Sequence, residues 1–257
     1  PGETEIAQTL ARNVDPDAVF KARSALMAQM GAALEPVRQS LKDRLRNHGA
    51  FDPSADAAGK RSLNNTLLML GVIANVPEAE ADSLEQFENA GNMNDRFAAF
   101  TRIVHWHASR KASAMAINGF AERHGEDALV MDKWFAVQAM APGKDAVTRI
   151  RALMRHNAFS LKNPNRVRSV IGSFASGNQT GFNSSDGEGH SLVAETIRKL
   201  DAINPQVAAR MLTAFRSFRS LEPQRRKNAE QALQGLQAGG PLSRDTSDIL
   251  DRMLRRG

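Results

Sequence analysis

The feature that most limits how this chain can fold is a recurring dipeptide, a short acidic or amide residue followed by proline: Asp15-Pro16, Asn163-Pro164 and Asn204-Pro205. The polar side chain can accept hydrogen bonds from the orphan amides of a first helical turn. Proline supplies a helical φ and lacks an amide that would go unpaired there. Each dipeptide is thus a helix start. The densest example is KNPNRVRSVIGSFASGNQTGF, residues 162–182, which sets a stop, a start, two arginines and a glycine-rich exit side by side. Helical periodicity there predicts Val167, Val170, Ile171 and Phe174 inside. Arg166 and Arg168, two apart, are about 200° apart around a helix and cannot share a face.

The same reasoning places helices along most of the chain. One covers residues 16–30; a second starts at Glu35-Pro36 and ends at Asn47-His48-Gly49, so two antiparallel helices are expected there. Others cover 60–74 and 78–90, then a helix capped by Asn94 or Asp95, then one to which Met115, Ile117 and Phe120 belong, closing at His124-Gly125. Helices at 127–141 (with Leu129 and Trp134 on its face) and 145–156 precede the organising stretch. A polar, glycine-rich loop is expected over 176–190, then helices at 192–200, 205–221, 223–236 and 245–254. No run alternates with period two, so strand content should be near zero. About twelve short helices with short links define an all-α chain of paired antiparallel helices. At 257 residues an alpha superhelix of the HEAT or armadillo kind suits it better than a closed bundle, as a single domain over 1–257.

Composition removes several functions. There is no cysteine, which excludes disulfides, thiolate catalysis and cysteine-based metal sites. No apolar run reaches the roughly 18–20 residues that span a bilayer, and no secretory signal opens the chain, so no membrane partner and a cytoplasmic location are expected. The chain begins at proline, as expected of a protein processed or cut from something longer. Among the six histidines no two lie three or four apart, and HExxH is absent, so no metal site is expected in this chain. Elbow, phosphate-loop and dinucleotide motifs are missing too. Thirty-four basic against 28 acidic residues give +6, with a pI near 10.0. These charges alternate with acids instead of forming a block, which makes nucleic acid an unlikely partner. The tract RSFRSLEPQRRKN (216–228) is the strongest exception, and a solvated face explains it more simply. Arg168 and Arg210 each follow an Asn-Pro start and could form a cationic patch that grips a carboxylate or phosphate by forked hydrogen bonds.

Five segments, GKRSLNNTLLML (59–70), AGNMNDRFAAF (90–100), LVMDKWFAVQA (129–139), FSLKNPNRVRSVIGSFA (159–175) and NPQVAARM (204–211), occur in an order that resembles the C-terminal helical domain of bacterial aminopeptidase N. That family is a group of zinc metallo-aminopeptidases whose GAMEN and HExxH motifs lie in other domains, so the resemblance implies a non-enzymatic accessory domain without a cofactor of its own. Zinc would be held by the parent's catalytic domain. Catalytic and N-terminal domains of the parent and a peptide substrate are the implied partners, and the domain would enclose the cavity and control access of peptides. By motif, Arg168 and Arg210 match cavity arginines of the family, with Arg166 or nearby asparagines fixing the loops. In DGEGHSL this chain has His190 where relatives commonly carry tyrosine, and no cavity role is carried over to it. An exposed apolar docking patch of about 1,000 Å² or more is expected, and some homo-oligomer of the isolated chain with it. The competing possibility is a free-standing helical-repeat binding module for protein or nucleic acid.

Overall fold

The computed structural model describes residues 1–45 and 51–255. The chain is all-α, built of paired antiparallel helices; the one isolated β-bridge among the described residues joins Val14 and Leu221. It divides into two compact units, Lys21–Val137 and Pro1–Phe20 with Gln138–Gly257. The first seven helices are α1 (Glu3–Leu10), α2 (Pro16–Leu45), α3 (Ala55–Ile73), α4 (Pro77–Asn89), α5 (Met93–Trp106), α6 (Arg110–His124) and α7 (Ala128–Met140).

Helix α1, which the proline starts did not predict, buries none of its residues. The expected break at Glu35-Pro36 does not occur, since α2 runs unbroken through Pro36. An internal proline costs about 3 kcal/mol, so contacts on both sides of it must hold the helix together. Before it, a Cβ at Gly31 would lie 2.1 Å from the Leu70 carbonyl oxygen, so α2 and α3 approach backbone to backbone there. After it, Arg38 donates to Glu35 (2.7 and 2.8 Å) and Asp82 (2.6 Å), and Lys42 donates to the other Asp82 oxygen at 2.6 Å. The stop expected at Asn47-His48-Gly49 lies outside the described residues. Asn92, not Asn94 or Asp95, caps α5: its side chain accepts from the Asp95 amide at 2.9 Å.

The unit Lys21–Val137 is centred on phenylalanines. Phe100 and Phe120 stack at 4.4 Å, with Phe87 and Phe97 beside them. Met115 and Leu129 are 64% and 70% exposed. Their neighbours Ala116, Phe120, Met131 and Trp134 fill those faces instead. Behind the rings lies a buried polar network. Arg102, 3% exposed, donates to Ser83 (3.2 Å), Asn65 (3.0 Å) and Gln86 (3.1 Å). The Asp95 carboxylate reaches it through Asn65, whose amide donates to the carboxylate at 3.0 Å. Burial pushes the guanidinium pKa down to about 10, against the attraction of Asp95. Partners on two helices, α3 and α4, meet at this one cation of α5.

The second unit continues with α8 (Ala146–Met154), α9 (Pro164–Val167), α10 (Ser173–Gly177), α11 (Gln179–Phe182), α12 (Glu188–Asp201), α13 (Pro205–Leu212), α14 (Pro223–Ala238) and α15 (Arg244–Arg255). A π-helical segment, Arg168–Gly172, joins α9 to α10, and a 3-10 helix, Thr213–Ser220, follows α13. The expected helix over 205–221 is thus α13 plus that tighter turn. Its core is Val170, Ile171, Phe174, Ile197, Leu212, Phe215 and Leu233. No helix is long and apolar enough to cross a membrane among the described residues.

Removing the Arg102 guanidinium takes away the donor that Ser83, Asn65 and Gln86 share. We expect Arg102→Met to lower stability against urea by about 3 kcal/mol, whereas Lys42→Ala, at a part-exposed pair, costs under about 1 kcal/mol. Equal costs would mean that the network does not hold these helices together.

Candidate functional site

The stretch that organised the sequence is built as its caps require, with one departure. The Asn163 side chain accepts from the amides of Asn165 (3.0 Å) and Arg166 (3.3 Å). Val167, Val170, Ile171 and Phe174 are fully buried. The departure is in the winding: the helix widens to π over Arg168–Gly172, the kind of bulge that often marks functional positions. Arg166 and Arg168 do point apart. Arg166 is buried and donates to the Ala158 carbonyl at 3.0 Å, fixing the preceding loop. Arg168 is exposed, steadied by the Asn165 side chain at 2.7 Å and the Pro164 carbonyl at 3.2 Å.

Arg210 lies in the last turn of α13, which Asn204 caps by accepting from the Val207 amide at 3.2 Å. It is exposed, and its guanidinium has no partner among the described residues. The two arginines sit on elements that meet: a Cβ on Gly172 would be 3.5 Å from the Met211 methyl and 3.8 Å from the Arg168 Cβ. Exposed cations on touching elements can bind an anionic or carbonyl group without first breaking a buried pair. Neither arginine lines the cavity of about 480 Å³ beneath α1 or the one of about 380 Å³ between α12 and α14.

What looked like a polar loop over 176–190 is largely structure. Helices α10, α11 and the start of α12 occupy it, and Asn178, Phe182, Asn183 and His190 are buried. Asn178 donates to the Ala141 carbonyl at 2.8 Å and accepts from the Gly181 amide at 2.9 Å. Gly187 opens α12 at φ 80°, where a side chain would be strained. Gly189 is required by contact instead, because a Cβ would lie 2.2 and 2.4 Å from the carbonyl oxygens of Gly181 and Phe182. Asparagines spaced to satisfy their own turn carbonyls were the available signal, and the glycines and serines between them masked it.

His190 is the titratable group of this knot. Its Nε2 is 3.1 Å from the Asn183 Oδ1, its ring packs on Phe182 and Phe215, and its Nδ1 is buried without a partner. Burial first, then the nearby Arg225, push its pKa down from 6.5 to about 4, against the pull of Asp186. Arg225 is held by Asp15, Asp17 and Glu222 and donates to the Asn183 carbonyl at 2.8 Å. The basic tract at 216–228 is therefore partly spent inside, since Arg219 also donates to the carbonyls of Met253 and Leu254 at 3.0 and 3.1 Å. His105 and His107 form no pair: His105 meets the Val137 carbonyl at 2.7 Å, and His107 lies 4.0 Å from Glu80. No group of three acidic or histidine side chains is placed to hold a metal ion among the described residues.

The described residues form a helical-repeat architecture that carries exposed arginines, and comparison with known proteins gives its family. Residues 1–255 match the family described as "Domain of unknown function (DUF3458_C) ARM repeats", and the chain belongs to that family. It is homologous to the C-terminal region of the aminopeptidase N/A family. It is 31% identical over 259 residues to aminopeptidase N of Haemophilus influenzae, covering 99% of this chain and 29% of that protein. Aminopeptidase N of Caulobacter vibrioides is 30% identical and that of Escherichia coli 28%, each over 99% of this chain and 29% of the relative. The crystal structure of Legionella pneumophila aminopeptidase A in complex with aspartic acid superposes with a TM-score of 0.89 at 25% identity, over 100% of this chain and 31% of that one. The chain thus spans less than a third of the length of these relatives.

Above pH 6.5 the His190 ring is neutral in both folded and unfolded chains; between 6.5 and 4 only the unfolded chain takes up the proton, so stability falls as pH falls through that window. The loss approaches about 3 kcal/mol at its lower edge. We expect His190→Tyr, which removes this titration, to flatten the stability profile there by the equivalent of one proton, measured by urea unfolding at stepped pH. An unchanged slope would mean that the ring is not held neutral.

Proposed function

We propose that this chain is the C-terminal accessory domain of a zinc-dependent aminopeptidase of the N type, which caps the catalytic domain and encloses the cavity where peptides lose their N-terminal residue. The observation that carries this reading is likeness along the whole chain to the C-terminal parts of aminopeptidases N and A, joined to the absence of HExxH from this sequence. With no histidine pair spaced for zinc, these residues do not fit the metal, and the reading assigns zinc to the catalytic domain of a longer polypeptide. The catalytic and N-terminal domains of that polypeptide, a peptide substrate and the cytoplasm are the corresponding partners and location, and residues 1–257 act as one domain within it.

In this role Arg168 and Arg210 face the cavity and hold the part of the peptide that extends away from the scissile bond. Their exposure supports the assignment, as does the unpartnered state of Arg210 among the described residues. A guanidinium fork gives a carboxylate or carbonyl a charge-assisted hydrogen bond whose strength depends on the peptide reaching it. The contact is remote from the reacting bond, so it stabilises ground state and transition state alike and acts on KM.

We expect Arg168→Ala and Arg210→Ala in the full-length protein to raise KM for peptides of three or more residues by roughly tenfold each, the scale of one charge-assisted bond, with kcat nearly unchanged. A single-residue aminoacyl reporter should be unaffected. Equal effects on the reporter and on long peptides, or none on either, would contradict the cavity assignment; so would salt-sensitive nucleic-acid binding lost in the same variants.

A further inference from the structure

Helix α2 presents two apolar faces, and only one is covered. Gly31 and Arg38 mark the covered face, which meets α3 and α4. Leu26, Met30 and Val37, with exposures of 58, 44 and 44%, lie on another. With 3.6 residues per turn these three side chains fall within about 40° of one another and about 100° from the covered face. Ala33 is exposed in the same stripe, and polar Lys21, Gln39 and Asp43 lie well away from it around the helix. Leu63 of α3 adds a further side chain at 44% exposure in the same unit.

In stacked helical repeats an interior helix needs two apolar faces, one for its own partner and one for the neighbouring repeat, whereas a terminal repeat turns a polar face outward. Helix α15, the last in the chain, has the terminal pattern: Thr246 and Leu250 are buried while its exposed residues, Arg244, Asp245, Asp248, Arg252 and Arg255, are all charged. Helix α2 has the interior pattern. We infer that the open face of α2 is the seat of a further antiparallel helix pair, supplied by polypeptide that precedes Pro1 in the longer protein. The relatives, more than three times as long as this chain, have such polypeptide to give. Leu26 stands only 25 residues beyond Pro1 in sequence, so a preceding pair is the neighbour that short helix-to-helix connections would bring to this face. A second copy of the chain would also cover the stripe, but it would leave the interior pattern of α2 confined to an accidental contact. This inference rests on the accessory-domain reading for the existence of the longer chain, yet its test needs no peptidase activity.

The absence of cysteine supplies the probe. Leu26→Cys, Met30→Cys and Val37→Cys, made singly in the 257-residue chain and in the full-length protein, are reacted with a maleimide under native conditions. Gln39→Cys on the polar side of α2 is the control, and any native cysteine of the longer protein is first replaced by serine. In the 257-residue chain we expect all four to react quickly. In the full-length protein positions 26, 30 and 37 should slow by roughly 100-fold, the protection of a packed site, while position 39 stays fast. A benzophenone attached at position 30 should then cross-link to helical sequence just before Pro1. Equal reactivity in both proteins, cross-links to any other part of the polypeptide, or protection already present in a dimer of the short chain would each overturn the inference. Loss of peptidase activity with protection intact would count against the proposed function alone.

Discussion

The last carbonyls of each helix have no partner within it, and in a fold made of short helices with short links these orphans fall at buried joints. Arginine is what satisfies many of them here. Arg96 donates to Phe87 at 3.2 Å and to Ala90, closing the end of α4. Arg149 donates to Gln138 at 2.9 Å and to Ala141, closing α7, and Arg219 does the same for α15. Arg166 holds the turn that leads into α9. A cation at a helix C-terminus also meets the negative end of the backbone dipole, so each contact gains twice. The basic balance of the chain is in good part the consequence of having many helix ends to close.

That use of arginine separates the two functional classes the sequence left open. A nucleic-acid surface needs cations free to neutralise phosphates, and their number sets affinity and salt dependence. Here several of the best placed are committed to the fold, including Arg219 and Arg225 of the most basic tract. Arg168 and Arg210 differ, being exposed on elements that meet at Gly172 and Met211. A pair of cations suits the end of a peptide far better than the length of a polyanion.

How much of this could be read from the sequence depended on whether the signal was local. Helix starts at Pro16, Pro164 and Pro205 were clear, because a cap and a proline act within one turn. The inward set Val167, Val170, Ile171 and Phe174 survived even the π bulge, and the opposite pointing of Arg166 and Arg168 followed from geometry alone. The continuity of α2 through Pro36 was hidden, since the contacts that sustain it come from Leu70 and Asp82, far along the chain. The knot around His190 was hidden for another reason: asparagines and glycines signal turns, and only the close approach of Gly189 to the Gly181 and Phe182 carbonyls shows that the turn is buried. For the candidate site, motif resemblance selected Arg168 and Arg210, and the residues by themselves indicated only a cationic pair.

If this chain works as one part of a larger peptidase, its parts should recombine in trans. The catalytic remainder of the parent would be prepared with zinc as a separate polypeptide, and its hydrolysis of a peptide series measured before and after adding the 257-residue chain. No hydrolysis by this chain alone, a stable complex of the two parts, and a change in peptide-length selectivity on mixing are expected. Two parts that neither associate nor alter each other's activity, with this chain instead binding nucleic acid in a salt-sensitive way, would contradict that role.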